Sequence, residues 1–156
     1  MFRFEHHTTI RLPIRDVFHL YTDPDHMPAW QPGLVDIEDA GGPAGRPGGI
    51  RKLRYQLGRR KMVMTETILH LEAPRQYHVQ YALKGLRQIV RHQFDSIAPN
   101  ETKWTTVSEF HFRGMMWLIG GYMRTGLETQ SRTLMQNFKG YAEQAGNAQA
   151  PQPAAT

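Results

Sequence analysis

The 156-residue sequence contains no cysteine. Disulfide bonds, thiolate catalysis and cysteine-ligated zinc or iron–sulfur sites are therefore excluded. The sequence also lacks an apolar run of the roughly 20 residues that a membrane-spanning helix requires. Its most apolar stretch, residues 115–123, is interrupted by Gly120 and Gly121. The first residues do not form the apolar core of a signal peptide, so we expect a cytoplasmic protein.

Short catalytic and cofactor-binding motifs are missing as well. The sequence has no HExxH or comparable metal-ligand spacing, no GxSxG, no glycine-rich nucleotide loop and no EF-hand loop. The glycines of residues 40–49 are interspersed with Pro43 and Pro47, which is typical of a flexible loop and not of a phosphate cradle. We therefore expect neither a cofactor nor a metal site.

The composition that remains is that of an ordinary globular domain, with 40% hydrophobic and 21% charged residues. The net charge is +5, and much of the basic excess lies in residues 51–61. Such a segment can bind RNA, a ribosome or an anionic membrane, or it can be a solvated hairpin. Alternation of its basic residues with Leu53, Tyr55 and Leu57 favours the solvated hairpin. We expect no DNA partner, no stable membrane insertion, and a monomer or homodimer.

Most of the chain alternates between apolar and polar residues with the period of a β-strand. Because short turns join most of these segments, they predict an antiparallel sheet with one polar, solvated face. The predicted strands cover residues 2–12, 34–39, 50–57, 61–71, 76–83, 87–97 and 102–112.

Helical spacing predicts two short helices and one long one. Pro13 starts the first helix, Asp23 and Pro24 end it, and a second helical turn covers residues 24–30. Residues 115–144 form the long helix, which would extend about 45 Å at 1.5 Å per residue. We expect one domain at residues 1–144, followed by a disordered tail rich in Ala, Gln and Pro at residues 145–156.

This order of elements resembles the SRPBCC or START-like superfamily, which includes polyketide cyclase/dehydrase-type proteins and pollen-allergen-type carriers. Four features carry the resemblance: a first strand leading into LPIRDVFHLYTDPDHMPAW, a glycine-rich loop before a basic strand, the hairpin ILHLEAPRQYHVQY, and a long helix after TTVSEFHFRG. It implies an α+β helix-grip fold, in which a curved antiparallel sheet wraps around the C-terminal helix. The family includes lipid carriers, ligand sensors, ring cyclases and ring-hydroxylase subunits, so the fold alone does not select a function.

In such a fold the inward strand faces and the helix line a pocket for a small hydrophobic molecule, such as a lipid, isoprenoid, polyketide or aromatic metabolite. The alternative is that the same side chains pack together as a filled core. Trp30, from the short helices, is expected to close the mouth of the pocket. The predicted lining consists of Trp30, Tyr55, Tyr77, Tyr81, Val90, His92, Phe94, Trp104, Thr106, Phe110, Ile119, Met123 and Leu127.

His92 is the best candidate for a catalytic residue, followed by Tyr81, and His6 follows a similar but weaker pattern. His92 could orient a ligand carbonyl, act as a general base, or be a core histidine bonded to a tyrosine hydroxyl or a backbone group. Two carboxylate–imidazole pairs also occur along predicted strands. Glu109 and His111 should face solvent, and the facing of Glu66 and His70 is ambiguous.

Three functions stay open from these observations. The first is a domain that binds, carries or senses a hydrophobic molecule, with Tyr81, His92 and Thr106 orienting it. The second is a cyclase or dehydratase in the same pocket, with His92 as base and Tyr81 or Tyr55 polarising a carbonyl. The third is an interaction protein that uses the basic hairpin of residues 51–61.

Overall fold

The computed structural model describes residues 1–149. These residues fold into seven strands and three α-helices, with a single 3-10 turn at Pro24–His26 among them. In chain order the elements are β1 (Phe2–Ile10), α1 (Ile14–Thr22), α2 (Met27–Trp30), β2 (Leu34–Gly41), β3 (Ile50–Leu57), β4 (Arg60–Glu72), β5 (Gln76–Leu83), β6 (Leu86–Ala98), β7 (Glu101–Phe112) and α3 (Met115–Gln149).

The strands form one antiparallel sheet in the order β1-β7-β6-β5-β4-β3-β2. Strands β2 to β7 follow one another along the chain, whereas β1 returns to pair with β7. Helices α1 and α2 occupy the connection between β1 and β2, and the C-terminal half of α3 covers the same face of the sheet. The predicted α+β helix-grip architecture is confirmed.

Local sequence signals explain where the first helices begin and end. Pro13 precedes α1 with a φ of −58°, and Val17, Phe18 and Tyr21 bury one side of this helix. Asp23 then caps the 3-10 turn, because its Oδ1 accepts a hydrogen bond of 2.9 Å from the backbone N–H of Asp25. This turn directs the chain into α2, which brings Trp30 under the sheet.

The C-terminal helix is longer than the sequence predicted. It continues to Gln149, so residues 145–149 belong to the helix and not to the predicted tail. Ala145 packs against the core, and a Cβ atom at Gly146 would come within 2.1 Å of Leu12. The helix therefore still contacts the domain after residue 144, and glycine permits that close approach. Residues 150–156 of the predicted tail lie outside the described part of the chain.

The helices in the described residues include none that is both long enough and apolar enough to cross a membrane.

Aromatic side chains fill the space between the sheet and the helices. Tyr21 is 8% exposed and lies at the centre of this cluster. Six aromatic rings surround it, with centroid distances between 4.5 and 6.1 Å. They belong to Trp30, Tyr77, His92, Phe94, Trp104 and Phe138.

We predict that Phe138→Ala lowers the free energy of unfolding by about 3–5 kcal/mol, because it leaves a cavity beneath the cluster around Tyr21. Urea unfolding followed by circular dichroism measures this change. Tyr122→Ala is the matched control, since Tyr122 lies on the same helix but is 95% exposed. Similar losses for the two variants would show that Phe138 does not anchor α3.

Candidate functional site

The strand register brings the predicted lining residues of the sheet onto one face. His92 lies opposite Tyr77 on β5 and Thr106 on β7, and Phe94 lies opposite Trp104. Directly opposed residues point to the same side of a sheet. The nine predicted sheet positions therefore share the concave face: Tyr55, Tyr77, Tyr81, Val90, His92, Phe94, Trp104, Thr106 and Phe110.

The helix positions of the predicted lining divide differently. Met123 and Leu127 are half-buried, but Ile119 is 49% exposed and does not face the interior, so its assignment was wrong. The start of α3 is apolar on several sides, so helical spacing alone does not determine which of these sides faces the sheet. Packing selects the one in which Gly120 meets Phe112, since a Cβ atom at residue 120 would approach that ring to 2.9 Å.

Trp30, which was expected to close the mouth of a pocket, is 5% exposed and packs inside the domain. Its ring contacts those of Tyr21 and Phe138 at centroid distances of 5.2 Å each. The gap between Trp30 and the polar side chains of β3, β4 and β5 leaves no room for a water molecule among the described residues. Of the two alternatives, an open cavity or a filled core, the described residues have the filled core at this position.

A buried ion pair adjoins this aromatic core. Arg51 on β3 lies opposite Glu66 on β4, and the residues are 5% and 2% exposed. Nε of Arg51 donates to Oε1 of Glu66 at 2.8 Å, and Nη2 donates to the hydroxyl of Tyr77 at 3.1 Å. Burial alone would lower the pKa of Arg51, but the charge and hydrogen bond of Glu66, together with Tyr77 and Tyr81, outweigh it and the net shift is upward. Arg51 therefore carries its charge inside the fold.

This pair was not predicted from the sequence, because Arg51 was grouped with the solvated basic hairpin. The hairpin assignment fits Lys52, Arg59, Arg60 and Lys61, which are exposed. The alternation of residues along β3 and β4 nevertheless indicates that Arg51 and Glu66 face inward. Arg51 is in phase with the inward Leu53 of β3, just as Glu66 is in phase with Ile68 of β4, so opposite charges occupy inward positions of adjacent strands.

Glu66 and His70 do not form a pair. The register of β4 against β5 shifts between Ile68 and His70, so residues after this bulge change sides. Glu66 consequently faces inward, while His70 is exposed and bonds Gln76. Glu109 lies on the outer face, as expected, and forms an ion pair of 3.0 Å with Arg91.

Tyrosine hydroxyls surround the ion pair. Tyr55 donates to Oε1 of Gln31 at 2.7 Å, and half-buried Tyr81 lies opposite Glu66 across β4 and β5. Burial, followed by the negative charge of Glu66, raises the pKa of Tyr55 and of Tyr77. The same causes raise the pKa of Tyr81. These hydroxyls stay protonated at neutral pH and can donate or accept hydrogen bonds, but they cannot act as bases.

His92 is bonded at both ring nitrogens. Nε1 of Trp104 can only donate, and it lies 3.2 Å from Nδ1 of His92. The proton of the neutral ring is therefore on Nε2, which donates to the hydroxyl of Tyr21 at 3.0 Å. Burial lowers the pKa of His92 to about 3. This is the arrangement of a core histidine bonded to a tyrosine hydroxyl, the third of the alternatives considered for this residue.

His6, the weaker candidate, lies on β1 opposite Thr106. It is half-buried, and its Nε2 has no hydrogen-bond partner within the described chain. Burial lowers the pKa of His6.

One group of metal-type ligands lies where α1 ends. His19 and His26 place Nε2 at 3.7 and 3.9 Å from Oδ2 of Asp23. All three ligand atoms lie within 4.8 Å of one another, a grouping that the search for sequence motifs did not find. Nδ1 of His26 is 2.6 Å from the hydroxyl of Tyr141. This contact of His26 connects the α1–α2 turn to α3.

An open cleft of about 330 Å³ lies on the other side of Trp30. Its walls come from α2, the turn after it, and the polar side of α3. Trp30 separates this cleft from the gap beside Arg51 and Glu66. The buried Nε1 of Trp30 has no hydrogen-bond partner in the part of the chain that the structure describes. An unpaired buried donor is costly, and a ligand acceptor would satisfy it.

The sheet, the covering helix and the polar cluster within an aromatic interior define a helix-grip domain of the START-like class. The family model described as polyketide cyclase / dehydrase and lipid transport matches residues 1–143. The chain belongs to this family, which confirms the resemblance found in the sequence. No curated protein matches the chain.

Several solved structures share the fold. Ara h 8.0201 is 17% identical with a TM-score of 0.75, covering 90% of this chain and 97% of that one. The di-domain ARO/CYC BexL from the BE-7585A biosynthetic pathway is 13% identical with a TM-score of 0.73, covering 89% and 45%. Norcoclaurine synthase from Thalictrum flavum is 13% identical with a TM-score of 0.68, covering 93% and 96%. At these identities the likeness establishes the fold alone.

We predict that Arg51→Met lowers the free energy of unfolding by about 3–5 kcal/mol, because it leaves Glu66 buried without its partner. The double variant Arg51→Met/Glu66→Leu should recover most of this loss, since it buries no unpaired charge. Arg54→Met is the control, because Arg54 pairs with Asp36 and Glu38 on the exposed side, and its unfolding midpoint should not move. Urea unfolding of the four proteins tests this. A double variant as unstable as the single one would contradict it.

We also predict a pH dependence that comes from His92. The unfolded chain gains a proton below about pH 6.5, whereas folded His92 stays neutral down to a pKa of about 3. Its contribution to stability is therefore complete above pH 6.5 and falls by about 1.4 kcal/mol per unit as the pH decreases towards 3. Urea unfolding between about pH 5 and 6.5, where few carboxylates titrate, should give a smaller slope for His92→Gln than for the wild type.

Burial also lowers the pKa values of His6 and His78. The wild type and His92→Gln both retain these two histidines, so the difference between their slopes of stability against pH isolates His92. If the variant does not fold, an NMR titration of the wild-type His92 ring answers the same question. A ring that titrates near pH 6.5 would refute the assignment.

Proposed function

We propose that the domain binds a small, mainly apolar molecule that carries one uncharged polar group, a carbonyl or a hydroxyl. The observation that carries this proposal is the Arg51–Glu66 pair, buried among tyrosine hydroxyls at the edge of an aromatic interior. The aromatic side chains would contact the apolar body of the ligand. The polar cluster would bind its single polar group.

The energetics of the pair favour a role beyond stability. A buried ion pair gains little over apolar side chains of the same volume, because both charges lose their hydration. A binding role explains why charged side chains occupy these two positions. The pair has no net charge and offers both donors and acceptors. It therefore suits a carbonyl or hydroxyl better than a charged headgroup.

The cleft beside Trp30 supplies a route of entry. Its volume of about 330 Å³ lies at the lower end of the range for small-molecule sites, which suits a ligand of one to three rings or a short chain. Because no space is open beyond Trp30, binding requires this side chain to move. The unpaired Nε1 of Trp30 would gain a hydrogen bond from a ligand acceptor, which would offset part of that cost.

The cyclase or dehydratase alternative uses the same location but a different base. His92 cannot serve, because both of its nitrogens are engaged and its pKa is low. Glu66 lies opposite Tyr81, so a proton-accepting carboxylate and a hydroxyl donor are neighbours. The family name covers both cyclases and lipid carriers, and the similar folds of the ARO/CYC BexL and of norcoclaurine synthase support keeping this alternative beside carriage.

The interaction-protein alternative is weaker than the sequence indicated. Of the basic hairpin residues, Arg51 is buried in its ion pair and Arg54 is neutralised by Asp36 and Glu38. We retain the expectation of a cytoplasmic monomer or homodimer without a DNA partner as part of the proposal.

A matched ligand series tests the binding proposal. Naphthalene, 2-naphthol and 2-acetonaphthone share one bicyclic skeleton and differ in their polar group. We predict that the wild type binds the alcohol or the ketone at least about 10-fold more tightly than the hydrocarbon, since a hydrogen bond to a charged group contributes about 1.5–3 kcal/mol. Isothermal titration calorimetry measures the three affinities.

The double variant Arg51→Met/Glu66→Leu should lose this preference and still bind the hydrocarbon. Arg54→Met should behave like the wild type. Failure of the wild type to bind any member of the series, or an unchanged preference in the double variant, would overturn the proposal.

To separate carriage from catalysis, the wild type and Glu66→Gln are each incubated with a linear poly-ketone, and the products are analysed by mass spectrometry. Turnover by the wild type but not by this variant would establish an enzyme.

A further inference from the structure

The beginning of α3 carries an apolar surface that packs against nothing in the described chain. Met115, Leu118, Ile119 and Tyr122 follow the spacing i, i+3, i+4 and i+7, so they lie in one stripe along the helix. Their exposed fractions are 85%, 73%, 49% and 95%, and neighbouring Trp117 is 71% exposed.

This stripe faces away from the domain. The opposite side of the same turns packs inward: a Cβ at Gly85 would approach Met116 to 2.6 Å, and one at Gly120 would approach Phe112. Apolar residues on the inward side are explained by the core, but the stripe is not. A contiguous exposed apolar patch of this kind usually marks an interaction site.

The stripe is confined to the first turns of the helix. Further along the same side the exposed residues are Thr125, Thr129 and Thr133, which are polar. The helix therefore changes its outward surface from apolar to polar within one turn. Such a limited patch fits contact with a surface at one end of the molecule, and not lengthwise packing against another helix.

Basic residues border the patch and acidic residues are absent from it. Exposed Arg113 directly precedes the helix, whereas the guanidinium of Arg124 lies over the rings of Phe2 and Phe4 on β1; residues 113–124 contain no Asp or Glu. The backbone N–H of Arg113 donates to the carbonyl of Gly85 at 2.9 Å, which places exposed Lys84 of the β5–β6 turn beside the helix start. Residues 83–91 likewise contain no acidic residue.

We propose that this end of α3 docks on the surface of an anionic lipid bilayer. The stripe of Met115, Leu118, Ile119 and Tyr122, with Trp117, would enter the boundary between headgroups and acyl chains, where Trp and Tyr are favoured. Arg113 and Lys84 would contact the lipid phosphates. The docking does not depend on the proposed ligand, but it would bring an apolar ligand next to the phase in which it dissolves.

The charge of the border favours a bilayer over a second copy of the chain. Two copies that joined their stripes would place arginine against arginine or lysine around the contact, which is unfavourable. An anionic surface supplies the opposite charge, and the whole chain has a net charge of +5. Docking is then peripheral, held by the apolar stripe and by salt-sensitive attraction.

Tryptophan fluorescence tests this directly, because the three tryptophans differ in exposure. Trp30 and Trp104 are 5% and 3% exposed, so a change on membrane contact reports on Trp117. We expect vesicles of phosphatidylglycerol to shift the emission of the full chain to shorter wavelength and to co-sediment with it. Vesicles of phosphatidylcholine should bind at least 10-fold more weakly. Raising the salt concentration should weaken binding to the anionic vesicles.

The variant Leu118→Ser/Tyr122→Ser keeps Trp117 and should bind anionic vesicles at least 10-fold more weakly. Val63→Ser/Leu69→Ser is the matched control, since it changes two exposed apolar residues on the outer face of the sheet, and it should bind like the wild type. Both variants should bind the naphthalene series as the wild type does. This comparison distinguishes a failure of docking from a failure of ligand binding.

Three results would overturn the proposal. The first is equal binding to neutral and anionic vesicles, or no binding to either. The second is equal binding by the stripe variant and the control variant. The third is a shift of the Trp117 emission that depends on protein concentration without vesicles, together with a dimer mass by light scattering, which would identify a second copy as the occupant.

Discussion

The packing around Tyr21 holds the elements of this domain together. Tyr21 comes from α1, and the rings that surround it come from α2, β5, β6, β7 and α3. A curved sheet exposes an apolar face unless other elements cover it. Here the covering helices and the sheet all contact the side chain of Tyr21. The hydroxyl of Tyr21 also accepts the hydrogen bond from Nε2 of His92, whose tautomer is set by the indole N–H of Trp104 at Nδ1. One side chain thus provides both the apolar contact and the polar partner that this interior requires.

The filled interior changes how a binding site must be understood in this protein. Aromatic rings occupy the region that an open pocket would take, and the remaining polar side chains gather at one edge, around Arg51 and Glu66. Trp30 and buried Gln31 lie between the cleft and this polar edge. Under the proposed function a ligand would reach this edge only if Trp30 moved, and the buried N–H of Trp30 has no partner among the residues described.

Helix α3 has two parts with different surroundings. Its C-terminal part buries Met135, Phe138 and Ala142 in the core and continues past residue 144 against Leu12. Its N-terminal part has apolar residues on both its inward and outward sides, and only the inward ones are covered. The same helix can therefore complete the domain at one end and offer a contact surface at the other.

The sequence by itself determined the strands, their alternation and the long helix, because a period of two or 3.6 residues follows from backbone geometry and needs no knowledge of neighbours. It also assigned the predicted sheet positions, Tyr55 to Phe110, to one face.

Tertiary structure alone decided that Arg51 meets Glu66, since pairing depends on which strands become adjacent and in which register. It likewise decided that a bulge in β4 turns His70 outward, that Ile119 faces away from the core, and that the interior is filled. Each of these outcomes depends on the volume and position of side chains distant in the chain, which local periodicity does not contain.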